Sequence, residues 1–452
     1  MAELFVPFCP PRPPRPPRHG GLLRILFGKH SRNGVADWSQ LAFEEFYVKR
    51  GLLGMRIHFP RHPEAIEHVL LGNAANYLKP GMVKRIFAPF IGNGLFTADG
   101  ELWRIQRRLV AASFSPVAVQ KMTALMVRAA ERHMAGWPER GTIDIARIAT
   151  ETTMQVIADT LFSGDPRLTT PEAMRHIENG LIAVGTIRLT ALLGFPELRI
   201  GPRAWRGARG RKFLRGTLET ILRERGPRGG DDFMGGLIRG LHAMLPPEQA
   251  ETLAMDNAAT FYVAGHETTA NALSWSIYLL ANTPDIQQRA REEAQAALAA
   301  GDLATLPDRL PYLRQILDET LRLYPPAPRI EREAAADDVW PDGTRVSKGD
   351  SVSIWPWLVH RHTRLWDNPD AFDPDRFAPG REAERHRFQY LPFGAGPRVC
   401  VGARFAMVEA LVILAHWLAA RRFEAVPGFV PDPVATVTLR PQGGMMVRVV
   451  PH

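Results

Sequence analysis

Cys400 lies in the run Phe393-Gly-Ala-Gly-Pro-Arg-Val-Cys-Val-Gly402, which leads into Ala403-Arg-Phe-Ala-Met-Val-Glu-Ala-Leu411. A glycine-rich loop thus delivers one cysteine to the start of an apolar helix. Free amides and the helix dipole at such a place favour a thiolate and lower its pKa. Gly394 and Gly402 let backbone approach a flat ligand beside Phe393, and Arg398 offers a fork for a carboxylate. From the residues alone, a buried cysteine packing as a small hydrophobe is equally open. Glu319-Thr-Leu-Arg322 places an acid and a base on one helical face, where they can pair. Apolar neighbours Ile316, Leu317, Leu321 and Leu323 point to burial. Ala264-Gly-His-Glu-Thr-Thr269 puts a glycine and polar groups inside a helix-like run, although Gly costs about 1 kcal/mol there relative to Ala. A zinc-protease reading of His266-Glu267 fails, because the second His it needs is Ala270. Trp103 and Arg107, one helical turn apart, offer an indole N–H and a guanidinium to one acceptor.

These side chains need elements to hold them. Residues 101–300 carry apolar residues at three- and four-residue intervals, which predicts mainly helix. The helix around Ala264 is expected over 256–282. Helical sequence resumes at 308–323 and is stopped by Pro325-Pro326. Met55-Arg-Ile-His-Phe59 and residues 351–355 read as short strands, and 434–449 as a hairpin around Gln442-Gly-Gly444. Residues 199–215 read as a basic face or loop. With no internal repeat and no βαβ alternation, the fold class is mainly α with small β-sheets.

Composition narrows the chemistry. The chain has 452 residues, of which 45% are hydrophobic, so a sizeable core is available. Two cysteines exclude a disulfide scaffold, a four-cysteine zinc site and a cysteine-ligated iron–sulfur cluster. The absence of a CxxCH run excludes covalent c-type haem attachment. No eighteen apolar residues run together, and the N-terminus lacks the order of a signal peptide. Residues 1–20 are instead proline- and arginine-rich and read as a flexible, extended tail holding an incidental Cys9. Residues 22–27 could graze a membrane surface. The expectation is a cytoplasmic protein without an integral membrane anchor, and nothing points to nucleic acid. The net charge of +9 suits an acidic partner, an anionic surface or nothing specific. His360-Arg-His362 lacks carboxylate or Cys support and receives no metal.

The Cys400 run resembles the haem-binding loop of cytochrome P-450, Phe-x-x-Gly-x-Arg-x-Cys-x-Gly, with every fixed position met. The resemblance spans roughly Arg56 to the C-terminus. It implies the prism-like P-450 fold as one haem-binding domain over 21–452, holding haem b between the Ala264 and Cys400 helices. It implies Cys400 as axial iron ligand, with Phe393, Gly394, Arg398 and Gly402 at the haem. Trp103, Arg107 and, with less force, Arg329 would meet its propionates. Thr268 would hydrogen-bond bound oxygen, Glu267 would relay protons, and Ala264 and Gly265 would leave room above the ring. Glu319 and Arg322, completed by Arg376 of Pro374-Asp-Arg-Phe377, would form a buried ion network.

The implied activity inserts one atom of dioxygen into a hydrophobic small molecule and releases the other as water. Retention of both Glu267 and Thr268 favours this over a peroxide-driven peroxygenase, an isomerase or a non-catalytic haem sensor. The pocket would use Phe96, Ala264, Thr268, Ala327, Pro328 and Val437, which suits a fatty acid, terpenoid, carotenoid or aromatic compound. Segment 180–205 would form the entrance, where Arg188 or Arg199 could hold a carboxylate. The haem domain occupies the whole chain, so a ferredoxin or flavodoxin-type donor with its reductase would supply electrons. Arg104, Arg108 and Arg404 would steer that acidic donor. The protein is expected to be a monomer.

Overall fold

The computed structural model describes residues 7–17, 33–36, 38–52, 54–185, 202–226 and 230–451. The three- and four-residue apolar spacing folds into long helices: α1 (Gly81–Ile91), α2 (Gly100–Ala111), α3 (Pro116–Met134), α4 (Ile145–Leu161), α5 (Pro171–Gly185) and α6 (Pro202–Arg225). There follow α7 (Phe233–Met244), α8 (Pro247–Ala281), α9 (Pro284–Ala299), α10 (Pro311–Leu323) and α11 (Ala403–Ala420). Local chemistry sets several starts. Ser115 caps α3 ahead of Pro116, and Asp144 and Asp232 accept amides at the starts of α4 and α7. The stretch 199–215, read as a basic face or loop, is helical from Pro202.

α8 has 35 residues, or about 52 Å at 1.5 Å per residue. It begins nine residues before the expected start and packs against α4, α7, α10 and α11. Because it is enclosed on nearly every side, its buried residues show no single apolar stripe. α11 is likewise apolar all round. It is the one single helix among the described residues long and apolar enough to cross a membrane, and it is a core element, 67% buried.

Short strands complete the fold. β1 (Tyr47–Leu52), β2 (Met55–Pro60), β3 (Tyr77–Leu78), β4 (Gly141–Asp144), β5 (Ile330–Ala334), β6 (Asp338–Val339), β7 (Arg345–Val346) and β8 (Ser351–Ile354) precede α11. β9 (Arg422–Ala425), β10 (Asp432–Ala435), β11 (Leu439–Gln442) and β12 (Met446–Val450) follow it. The largest sheet has the order β1-β2-β8-β5-β3, with β2 and β8 parallel. The expected hairpin around Gly443-Gly444 does not form. β11 pairs backwards with β10, and β12 joins β4 and β9 in a separate sheet. The two glycines, at φ of 80° and 96°, carry the chain between the sheets. At Gly444 a Cβ would lie 2.5 Å from Asp144 Oδ2.

The proline-rich segment is not a free tail over its described residues. Phe8 packs on the core, and its carbonyl accepts the Phe372 amide at 2.9 Å. The Tyr324 hydroxyl donates to Pro11 O at 2.6 Å, while Arg12 and Arg15 both pair with Asp370. Arg15 also lies 3.6 Å over the Phe43 ring. An extended backbone with few donors of its own can be docked by its carbonyls and by intervening arginines. Residues 22–27, Arg188 and Arg199 lie outside the described residues, as does most of the expected entrance segment.

Candidate active site

The cysteine loop is shaped by close contacts. Cys400 N donates to Phe393 O at 2.9 Å and Val399 N to Gly396 O at 3.1 Å. Gly394 and Gly396 adopt φ of 71° and 70°, and a Cβ on Gly396 would stand 1.7 Å from Leu70 O. Only glycine fits there. At Gly402 a Cβ would meet no protein atom closer than 3.8 Å, leaving that side open. Cys400 is exposed, yet surrounding protein pushes its thiol pKa up. Accessibility and desolvation coexist where a group faces an internal hollow. The expected lowering of the thiol pKa is therefore overturned: desolvation outweighs the Gly402 N–H and the Arg107 charge, which both favour thiolate. A bound metal cation reverses that balance, because it deprotonates a coordinating thiol outright.

A rim of cations stands nearby. Arg398 donates to Ala98 O at 2.9 Å, pairs with Asp99, and lies 4.5 Å over the Trp103 ring. Lys79 and Arg332 feel the charge of Arg398, and desolvation followed by these two arginines lowers the Lys79 pKa to about 7. Arg332 too is depressed by burial, to about 10. Three crowded cations facing Asp99 and Glu331 form a set that gains from further anionic ligands. Two propionates meet that requirement. The sequence motifs missed Lys79 and Arg332. Arg329, expected in this role, lies 5.9 Å from the Trp355 ring, and its charge acts on Glu331. Strand β5 brings Arg332, three residues further on, to the Arg398 cluster. Arg107, also expected at the propionates, is half-buried, and its charge is felt at Cys400.

Across α8, Ala264 is exposed while Val263 and His266 on either side are buried. Thr268 Oγ1 donates to Ala264 O at 3.0 Å, which keeps its lone pairs free to accept. Burial raises the Glu267 pKa, opposed by Arg440 and Thr438. Gly265 does not leave room for a ligand as expected. A Cβ there would strike Ile157 Cδ1 at 2.4 Å, so this glycine admits α4. Of the expected pocket residues, Phe96 is 40% exposed and Ala327 is exposed, Thr268 and Val437 are half-buried, and Pro328 is buried among protein atoms.

Behind the loop, Glu319 and Arg322 are fully buried and share two bonds of 2.6 and 2.7 Å. Arg322 also donates to the carbonyls of His360, Pro369 and Ala371. Arg376 Nε stands 3.5 Å from Glu319 Oε1. His360, passed over in the sequence, links this hub to the loop. Its Nε2 accepts the Leu391 amide at 2.8 Å, and its Nδ1 meets Arg322 O at 3.2 Å. Burial, then Arg322, depress its pKa to about 3, so the ring stays neutral. Among the described residues no group of His, Cys, Asp and Glu could hold a metal by itself.

A mainly helical fold that presents one accessible, desolvated cysteine beside a cationic rim suits a haem-thiolate protein. Residues 10–448 match the family described as Cytochrome P450, and the chain belongs to that monooxygenase family, whose cofactor is haem held by a thiolate. Cyclooctatin synthase of Streptomyces melanosporofaciens is 33% identical over 415 residues, covering 88% of this chain and 87% of that one. Cytochrome P450 4A6 of Oryctolagus cuniculus is 29% identical over 437 residues, covering 88% and 82%. Taurochenodeoxycholic 6 alpha-hydroxylase of Sus scrofa is 27% identical over 403 residues, covering 82% and 78%. Membership implies a substrate, dioxygen and redox partners.

Proposed function

We propose that this chain is a monooxygenase of hydrophobic small molecules, in which Cys400 would hold the haem iron. The accessible, desolvated Cys400 beside the cationic rim carries this reading. The bound haem supplies oxygen activation and the oxidation of the substrate carbon. Lys79, Arg332, Arg398 and the Trp103 indole hold the propionates, and Arg107 and the Gly402 amide stabilise the thiolate. Thr268 accepts and passes on a proton at Oγ1. Glu267, raised by burial towards its neutral form, is a source for that proton. Phe96, Ala264 and Ala327 give the substrate an apolar surface. This suits fatty acids, terpenoids, carotenoids and aromatics, and the names of the relatives, a cyclooctatin synthase and a taurochenodeoxycholic hydroxylase, fit that range. Arg104, Arg108 and Arg404 are exposed and would meet an acidic ferredoxin or flavodoxin-type donor.

The test is the carbon-monoxide difference spectrum of the reduced protein. A red-shifted thiolate band that disappears in Cys400→Ala is expected. Absence of the band, or its survival in the variant, removes the assignment.

A further inference from the structure

Asp256, near the start of α8, takes no part in the chemistry above, yet one carboxylate there joins three elements. Oδ2 accepts the Asn93 amide at 2.7 Å, and Oδ1 accepts Arg215 Nη2 at 2.9 Å. The next residue, Asn257, accepts the Leu95 amide at 3.0 Å and donates to Gln106 Oε1 at 2.7 Å. Asp256 is 4% exposed, and Asn257 and Gln106 are fully buried. The turn Gly92-Asn93-Gly94 is seated directly on α8. A Cβ on Gly92 would lie 1.8 Å from Asp256 Oδ1, and one on Gly94 would lie 2.5 Å from Thr260 Oγ1. The turn ends by presenting Phe96, whose ring lies 5.1 Å from Phe87 and 4.1 Å from Lys79 Nζ.

Arg215 brings in a second body. It belongs to α6, which is pressed onto α5 through glycines. A Cβ on Gly207 would strike Ala183 Cβ at 2.3 Å, and one on Gly210 would strike His176 O at 2.2 Å. The two helices are therefore one slab, and Arg215 fastens that slab to the carboxylate that also fixes the turn. Charge-assisted hydrogen bonds of this kind are directional and, when desolvated, strong.

We propose that Asp256 is a positioning residue for substrate selection, holding the α5–α6 slab through Arg215 and the Phe96 turn through Asn93, so that slab and ring move as one unit. This rests on the reading of Phe96 as a pocket residue in a haem monooxygenase. Asp256→Asn retains one accepting oxygen but turns an NH₂ group towards the other donor. Arg215→Met leaves the Asn93 bond untouched and removes only the tie to the slab.

The experiment is amide hydrogen exchange on the haem-loaded protein, together with titration of imidazole and 4-phenylimidazole followed by the haem absorbance. In Asp256→Asn, exchange should quicken about ten- to hundredfold at both 93–96 and 211–218, the range set by loss of one charged hydrogen bond. In Arg215→Met, exchange at 93–96 should also quicken, although no bond of that turn has been removed. The preference for 4-phenylimidazole over imidazole should shift by about threefold or more in both variants. If Arg215→Met leaves exchange at 93–96 at the wild-type rate, the coupling is wrong. An unchanged azole preference in both variants removes the role in selection. If Asp256→Asn does not fold, Arg215→Met, altering a side chain 34% exposed, decides alone. The carbon-monoxide band of the wild type judges the monooxygenase reading separately, because the exchange arms do not depend on it.

Discussion

Arg322→Lys keeps the charge of the buried hub and removes the fork. In the native protein five acceptors surround the guanidinium: both Glu319 oxygens and the carbonyls of His360, Pro369 and Ala371. Arginine has five N–H donors, and lysine has three. At least two of these bonds are then lost. Glu319 Oε1 also accepts the Asp373 amide at 2.9 Å, so at least one acceptor is left without a donor, at about 1–3 kcal/mol each. A fully severed buried pair costs about 3–5 kcal/mol. The expected loss for Arg322→Lys is roughly 1–6 kcal/mol, set against the ~5–15 kcal/mol typical of a domain. Arg322→Leu, which leaves Glu319 charged beside Arg376 alone, should yield no soluble haem protein. Urea denaturation followed by tryptophan fluorescence and by haem absorbance measures the effect. A stability within about 1 kcal/mol of wild type would show that the hub's geometry, unlike its charge, is dispensable.

Three further outcomes are expected. Glu409 on α11 is fully buried, and burial pushes its pKa well above the ordinary 4.5, opposed by a hydrogen bond from Thr269. The native state thus holds a proton that the unfolded chain releases, so stability falls as pH rises from about 4.5 towards the raised value. Glu409→Gln should gain on wild type with rising pH, by at most about 1.4 kcal/mol per pH unit, in denaturation from about pH 5 to about pH 8; parallel curves would contradict this. Gly265→Ala should cost about 1–3 kcal/mol through Ile157, and Ile157→Val, which removes the Cδ1 atom in conflict, should recover part of it. No recovery in the double variant would mean that the glycine serves another purpose. Lys79→Met should speed haem transfer to apomyoglobin about tenfold while leaving the carbon-monoxide band in place; an unchanged transfer rate would remove Lys79 from the propionate set.

The residues legible in the sequence were those whose chemistry demands a fixed local spacing. The Cys400 loop, Glu319 with Arg322, and the run from Ala264 to Thr269 all lie within one loop or helix, so spacing alone places them. Helix existence was legible for the same reason, through periodicity over many turns. What escaped depended on contacts between distant segments. Lys79 and Arg332 reach the Arg398 cluster through β3–β5 pairing and strand register, which no short pattern encodes. Gly265 looked like clearance for a ligand until Ile157 of α4 was found against it. The Gly443-Gly444 pair signals a turn correctly, but which strands it joins is decided by partners about 300 residues away, at β4. Even the thiol's pKa followed from enclosure, which a helix start alone cannot report.

The docking of the first described residues has a consequence for synthesis. Pro11 waits for Tyr324, 313 positions later, and Arg15 for Asp370, 355 positions later. At roughly 5–20 residues per second, the ribosome takes about 15 to 70 s to produce these partners. During that interval the segment must stay unpaired without aggregating. A polyproline run interrupted by arginines is suited to waiting, because it is extended, hydrated and unable to enter a sheet. This seam is thus joined between segments made more than 300 residues apart.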